Sequence, residues 1–135
     1  MTYKVVFHHL LPCLNDYIGA AHQLYHYRGS SRSYGDALMK KREQRILEME
    51  IRRQLKGVHI KRPVRITLCA FEDTRKRDWG NVLAVIDKFC LDALVSAGVL
   101  QNDSQRWVAD YGKPILGHDK QNPRIEIIID ELEEE

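Results

Sequence analysis

The apolar positions of the chain recur with a period of two in several segments, which predicts strands. Residues 3–10 (YKVVFHHL) are rich in β-forming side chains and indicate a first strand that Pro12 ends. Residues 64–71 (VRITLCAF) are apolar on both alternating faces, which is typical of a central strand. Residues 106–111 and 124–129 predict two further strands near the end of the chain.

Two longer segments show the period of a helix. Residues 36–55 repeat apolar side chains at every fourth position from Leu47 to Leu55, and Gly57 is a natural stop. Residues 81–97 predict a second helix with a clear core stripe. The stripe comprises Val82, Ile86, Phe89, Ala93 and Ala97.

The order of these elements defines the expected fold. Strand, helix, strand, helix, strand, strand predicts an α+β fold, in which a small mixed β-sheet carries two main helices. Residues 14–34 are expected to form a long, partly irregular loop, and residues 113–123 a second loop. The chain shows no internal repeat or linker, so residues 1–135 are predicted to form a single domain.

Charge is distributed unevenly along the chain. The formal net charge is only +2, but residues 130–135 are nearly all acidic, whereas residues 28–77 carry most of the arginine and lysine. The body without this acidic tail is cationic, as expected of a surface that attracts a polyanion. The charge pattern is therefore consistent with a nucleic-acid partner.

The cysteines and the absence of long apolar runs indicate the compartment. Cys13, Cys69 and Cys90 show no CxxC spacing and lie in apolar segments, which predicts buried thiols in a reducing environment. No apolar run approaches the roughly 20 residues of a membrane span, and the first residues lack a signal-peptide pattern. We expect a cytoplasmic protein without a membrane partner.

The segment from Arg75 to Trp107 holds the groups that phosphodiester cleavage requires. Basic residues from Arg75 to Arg77 precede Asp78, and Asp103 follows the second predicted helix. Enzymes of this kind use carboxylates to hold Mg²⁺, a cation to offset charge on the phosphate, and basic residues to hold the polymer. The segment therefore predicts a nuclease centre.

The second predicted helix places three polar side chains on one stripe. At 100° per residue, Asn81, Lys88 and Asp92 fall within a sector of about 40°. This stripe joins an amide, a cation and a carboxylate. The alternative is a solvated helix face with one ion pair between Lys88 and Asp92, worth a few tenths of a kcal/mol.

Five motifs occur in order along nearly the whole chain. They are LPCLNDYI, RKRDWGN, LDALVSAGVL, NDSQ and NPRIEIII. In this order they resemble RusA-type Holliday junction resolvases, especially the short versions carried by phages and prophages of Gram-positive bacteria. The resemblance implies a small homodimeric endonuclease that depends on Mg²⁺, with Mn²⁺ as an alternative ion. Such enzymes bind four-way DNA junctions and nick two opposing strands during recombination and repair.

The family signature is a DxDN motif before the second helix, a lysine in that helix and an acid in the turn after it. The resemblance assigns the first acid to Asp78, the amide to Asn81 and the last acid to Asp103. Counting forward from Asn81 gives Ala84 for the lysine, whereas counting back from the LDAL segment gives Lys88. Because one inserted helical turn nearly preserves the facing of a helix, we assign Lys88.

The chain departs from this signature at Gly80, where the family has its second aspartate. One expected metal ligand is therefore missing, and a site with one carboxylate fewer binds Mg²⁺ more weakly. Glu72, Asp73 and Asp92 are the nearest acids that could compensate, and Glu72 is favoured because it ends the central strand. Alternatively, Glu72 and Asp73 merely neutralise the basic residues that follow.

These assignments predict a mechanism. Asp78 and Asp103, with Glu72 as a further ligand, are expected to hold one or two Mg²⁺ ions against the scissile phosphate. Lys88 is expected to offset charge on the phosphate or the leaving oxygen, with Asn81 in support. Asp92 is a second supporting residue, and nothing in the chain suggests a covalent intermediate.

DNA binding is expected to rest on basic residues that give affinity without reading sequence, which suits recognition of junction shape. They are Arg75, Lys76, Arg77, Arg28, Arg32, Lys40 and Lys41. Tyr25, Tyr27 and Tyr34 are expected either to stack on exposed bases or to pack under the long loop. A dimer would hold two centres against opposite strands. None of the six histidines is assigned a metal role.

Two rival functions remain. A catalytically weakened homologue would bind branched DNA without cutting it, and Gly80 is the main support for this alternative. A small RNA-binding or translation-associated domain would use the same basic body and tyrosines. RNA binding gives no reason for the placement of Asp78 and Asp103, so the endonuclease is the preferred hypothesis.

Overall fold

The chain has the predicted α+β fold, with a mixed β-sheet and two helices. The structure, a computed structural model, describes residues 1–13, 24–27, 30–33 and 35–133. The elements are β1 (Thr2–Phe7), β2 (Leu24–Tyr27), β3 (Ser30–Ser33), α1 (Gly35–Gln54), β4 (Val64–Glu72), α2 (Trp79–Ser96), β5 (Val108–Tyr111), β6 (Ile115–His118) and β7 (Arg124–Glu131). Both predicted helices and the four predicted strands are present close to their predicted bounds.

β4 lies at the centre of the five-stranded main sheet, as its apolar sequence predicts. β7 pairs antiparallel with one side of β4, and β1 pairs antiparallel with the outer side of β7. The other side of β4 pairs in parallel with β5 along its first residues and with β6 along its last. The strands β1, β4 and β6 therefore run in the same direction. Their carboxyl ends lie along the same border of the sheet. We call this border, which is formed by strand ends and not by an outer strand, the carboxyl edge.

Alternate residues of the strands join the apolar stripes of both helices in a hydrophobic core. In β4 these residues are Val64, Ile66, Leu68 and Ala70, none more than 6% exposed. The helices contribute buried side chains that include Leu47, Ile51, Val82, Val85, Ile86, Phe89 and Leu94. In addition, α1 and α2 pack against each other. Within the described residues, neither helix is long and apolar enough to cross a membrane.

Two segments predicted as loops contain strands. Residues 24–27 and 30–33 form the antiparallel pair β2–β3 in the range predicted to be irregular. β6 lies within the predicted loop 113–123 and covers the second half of β4, which would otherwise present an unpaired edge. The sequence ILGH is short, and a glycine interrupts its apolar pattern, so periodicity gave no signal for β6.

The acidic tail also begins later than predicted. Asp130 and Glu131 belong to β7, where the Thr2 hydroxyl donates to the Asp130 carboxylate at 2.6 Å. Residues 134 and 135 lie outside the described residues. The three cysteines are all buried, as predicted.

α2 connects the two edges of the main sheet. It starts just beyond the loop that follows β4, and its 18 residues, at 1.5 Å each, extend about 27 Å. At its far end the amide of Leu100 donates to the carbonyl of Leu94, and the amide of Val64, which begins β4, donates to the carbonyl of Trp107 at 2.8 Å. Residues that precede α2 and residues that follow it thus lie at opposite edges of the sheet.

Candidate active site

A cavity of about 280 Å³ lies at the carboxyl edge of the sheet. Its lining residues are Glu72, Thr74, Arg75, Arg77, Asp78, Trp79 and His118. The carboxyl ends of parallel strands are the usual ligand-binding edge of open α/β sheets. The sequence prediction had assigned four of these residues to the site and had missed Thr74, Trp79 and His118. Asp73 is exposed and does not line this cavity.

Glu72 and Arg77 form a bidentate ion pair in the cavity wall, in which Glu72 is buried and Arg77 is partly exposed. Arg77 donates from Nε to Oε1 of Glu72 at 2.7 Å and from Nη2 to Oε2 at 2.8 Å. The remaining Nη1 of Arg77 donates to the carbonyl of Leu11 at 2.7 Å. Because Glu72 is only 4% exposed, this pairing offsets the cost of burying its carboxylate. In this arrangement, Arg77 occupies one acceptor position on each oxygen of Glu72, and three of its own N–H groups are used within the protein.

Asp78 occupies the residue before the first turn of α2. Its backbone is extended (φ −74°, ψ 133°) and its carbonyl accepts from the Val82 amide at 3.0 Å. No side-chain capping bond from Asp78 occurs within the described chain. The carboxylate is exposed at a helix start, where the positive end of the helix dipole stabilises negative charge. Asp78 therefore presents a charged oxygen ligand at the cavity.

Gly80, the position of the missing aspartate, follows in the first turn of α2. A Cβ atom built at Gly80 would meet no heavy atom of the described chain within 4 Å, so a larger side chain has room. Asn81 follows it and is half-buried. The absence of a second carboxylate therefore reflects the sequence alone, since packing does not require glycine here.

The predicted helical stripe exists, but it does not bring Lys88 beside Asp78. Lys88 lies ten residues further along α2, about 15 Å at 1.5 Å per residue. Its ammonium is 3.6 Å from the Asp92 carboxylate, and Lys40 of α1 contacts the same carboxylate at 2.6 Å. Asp92 therefore links the two helices, and the side chain of Lys88 remains 62% exposed.

Asp103 lies near the opposite edge of the sheet from Asp78. Asp103 lies shortly after α2, and the backbone carbonyl of the next residue, Ser104, accepts from the amides of Trp107 and Val108. Burial, a 2.8 Å hydrogen bond to Asp87, and the charges of Asp87 and Asp103 raise the pKa of Tyr111. One chain alone does not unite Asp78 with Asp103.

The basic residues predicted to bind DNA have different surroundings. Arg75 and Lys76 are exposed beside the cavity, whereas Lys40 is held by Asp92 and lies 5.9 Å from the Phe89 ring. Lys41 lies on a larger cavity of about 610 Å³ along the outer side of α1. The described lining of that cavity is Lys40, Lys41, Gln44, Arg45, Glu48, Met49 and Arg52. Arg28 and Tyr34, and the side chains of Tyr25, Tyr27 and Arg32, lie outside the described residues.

Trp79 and His118 were absent from the sequence prediction. The indole of Trp79 and the imidazole of His118 have ring centroids 5.5 Å apart at an interplanar angle of 52°. The two residues meet because Glu72 and His118 are partners in the parallel β4–β6 ladder. A correct prediction of β6 would have been needed to find this pair.

The donors of one chain supply only part of a metal site. The described residues contain no group of three or more His, Cys, Asp or Glu side chains placed to hold an ion. Mg²⁺ is commonly held by one or two carboxylates together with waters and substrate phosphates. The carboxylate of Asp78 fits that chemistry, and Glu72, the other carboxylate of the cavity lining, is paired with Arg77.

No protein-family model matches this chain, and no curated protein matches it either.

Proposed function

We propose that the protein is a Mg²⁺-dependent, structure-specific endonuclease that resolves four-way DNA junctions by paired nicks. The observation that carries the proposal is the exposed carboxylate of Asp78 at the start of α2, within an arginine-lined cavity at the carboxyl edge of the sheet. A carboxylate beside cations suits the joint binding of a divalent ion and a phosphodiester. The resemblance to RusA-type resolvases supports the same chemistry.

The separation of Asp78 and Asp103 leads us to propose a centre shared between two subunits. A two-fold axis that sets the α2 helices of two copies antiparallel would bring the start of one helix near the end of the other. Asp78 of one subunit and Asp103 of the partner subunit would then hold the ion together. A homodimer would contain two such centres, one for each of two opposing strands.

The other residues at and near the site would have separate roles in binding the metal ion and the DNA. Bound Mg²⁺ would supply a nucleophilic water and stabilise charge on the phosphate. Arg75 and Lys76 would bind the backbone beside the cut, and Asn81 would orient a ligand next to Asp78. Arg77 would keep its structural role with Glu72. Lys88, about 15 Å along α2, would bind a phosphate further along the strand rather than the leaving oxygen.

A second candidate is a branched-DNA-binding protein with little catalysis. Gly80 supports it, because the carboxylate that would complete the signature is missing and both oxygens of Glu72 accept from Arg77. This candidate uses the same surface and differs only in the rate of cleavage.

Cleavage of a labelled mobile four-way junction, with and without Mg²⁺, tests the proposal. We expect paired nicks with Mg²⁺ and a loss of at least about 100-fold in Asp103→Asn, because each 1.4 kcal/mol of lost stabilisation is a tenfold loss in rate. Asp73→Asn, which removes a nearby acid outside the cavity, should retain the wild-type rate.

Gly80→Asp separates the two candidates. Because position 80 is open and lies in the first turn of a helix, the Gly80→Asp protein should fold normally. The new aspartate should add a carboxylate ligand for Mg²⁺. An active wild type should gain at least about tenfold in rate at low Mg²⁺. Activity that appears only in Gly80→Asp would favour the DNA-binding candidate, and binding of junction and linear duplex with equal affinity would count against both.

A further inference from the structure

The aromatic pair of Trp79 and His118 is unexplained by the metal chemistry. Trp79 is half-buried, so part of its ring packs on the core while part lines the cavity that contains Asp78. His118 is exposed at the end of β6 and contacts the indole from the other side of the cavity mouth. The pair therefore offers two aromatic ring faces within a site whose other lining residues are mostly charged.

The neighbours of this pair suit the two parts of a nucleotide. Trp79 directly follows Asp78, and Arg75 lines the same cavity, so cations and a carboxylate lie next to the aromatic rings. The volume of about 280 Å³ lies just below the range of sites for drug-sized ligands, a size that suits one base. Thr74 adds a hydroxyl that can exchange hydrogen bonds with a base edge.

We propose that Trp79 and His118 form a stacking site for one unpaired DNA base beside the scissile phosphate. The inference rests on the proposed function and names the feature of branched DNA that the site recognises. A base at the exchange point of a junction is already partly unstacked, so its capture costs less than opening a paired duplex. Stacking on aromatic side chains tolerates any base, because every base has a π-face. The site would thus select branch points over linear duplex without reading sequence.

Binding without divalent metal tests the inference separately from cleavage. The probes are a four-way junction with 2-aminopurine at the exchange point and a linear duplex with the same base paired. For Trp79→Ala we expect junction affinity to fall about 5- to 140-fold, the value of one stacked base, with duplex affinity unchanged. Trp79→Phe should retain most of the affinity, and His118→Ala should show a smaller loss in the same direction.

Trp107 provides a matched control, since the chain has only two tryptophans. Trp107 lies beyond the far end of α2, where Arg106 is 5.4 Å from its ring, so in the shared dimer it would come near the partner's Asp78. Trp107→Phe keeps an aromatic ring at this position and should bind both probes like the wild type, and the emission of its remaining Trp79 should be quenched by the junction and not by the duplex. Trp79→Phe, which retains only Trp107, measures the quenching that Trp107 itself contributes, and the inference requires the quenching in Trp107→Phe to exceed it.

Three results would overturn the inference. One is equal junction affinity of Trp79→Ala and wild type, and another is an equal loss for junction and duplex, which would indicate a backbone contact or a folding defect. The third is tighter binding of a single-stranded RNA than of the junction. His118→Ala guards against a folding artefact, because His118 is exposed and lies outside the core. If the wild type binds junction and duplex equally, the proposed function itself fails, whereas unchanged binding by the tryptophan and histidine variants alone leaves it standing.

Discussion

At the scale of single residues, the ion pair of Glu72 and Arg77 determines the conformation of the loop that leads to Asp78. The sequence offers Glu72 as a metal ligand and Arg77 as a DNA contact, because both are charged and lie beside Asp78. In the structure Glu72 and Arg77 form an ion pair with each other. Arg77, which lies in the loop after β4, also donates a hydrogen bond to the carbonyl of Leu11. The pair therefore fixes the loop that places Asp78.

This structural role predicts a stability effect that neighbouring charges do not share. Arg77→Met would leave the carboxylate of Glu72 buried without its cation, at a cost of about 2–4 kcal/mol in the free energy of unfolding. Lys76→Met, at an adjacent exposed position, should change the free energy of unfolding by less than about 0.5 kcal/mol. Urea denaturation measures both. Equal stabilities of the two variants would show that the pair does not stabilise the fold.

At the scale of elements, β6 contributes most to the site that the sequence did not predict. Its pairing with β4 brings His118 level with Glu72, and two glycines on this side of β4, Gly112 before β6 and Gly117 within it, lie very close to β4 side chains. A Cβ atom at Gly112 would lie 2.3 Å from the hydroxyl of Thr67, and one at Gly117 would lie 3.1 Å from the ring of Phe71. Side chains on β4 thus occupy the space that larger residues would need in this part of the sheet.

The close approach at Gly112 makes a prediction with a rescue. Gly112→Ala should lower the free energy of unfolding by about 1–3 kcal/mol, since overpacking forces the strand or Thr67 to move. Adding Thr67→Ala removes the obstructing hydroxyl and should restore part of that loss. Gly80→Ala is the control, because it meets open space in a helix and should stabilise by about 0.5–1 kcal/mol. Thermal unfolding compares the variants, and a Gly112→Ala protein as stable as wild type would refute the packing argument.

Some of these elements could be predicted from the sequence and others could not. α1, α2 and β4 follow from apolar periodicity because each buries a continuous stripe or both faces in the core. β6 and the β2–β3 pair do not, since they are short, polar or interrupted by glycine, and only pairing with a neighbour makes them strands. For the candidate site, Asp78 was predicted from local sequence and lines the cavity, whereas the approach of His118 to Trp79 depends on a parallel ladder between distant segments. The opposite placement of Asp78 and Asp103 likewise required the length and direction of α2.

At the scale of the whole molecule, the distribution of acids suggests that one chain is half of a functional unit. Asp78 lies at the carboxyl edge and Asp103 near the opposite edge, with the roughly 27 Å of α2 between them. A two-fold dimer would bring Asp78 of one subunit near Asp103 of the partner subunit. It would also match the approximate symmetry of a four-way junction. The exposed cations Arg75 and Lys76 would then flank each of two centres.

Mixing two inactive subunits tests this account most directly. Asp78→Asn and Asp103→Asn would be denatured, mixed and refolded together, and the product assayed on a labelled four-way junction with Mg²⁺. If each centre takes Asp78 from one chain and Asp103 from the other, a mixed dimer contains one intact centre and one that lacks both acids. The account predicts that each variant alone is inactive and that the mixture makes single nicks in place of paired ones. A mixture as inactive as its parts, beside an active wild-type protein treated in the same way, would contradict the shared centre.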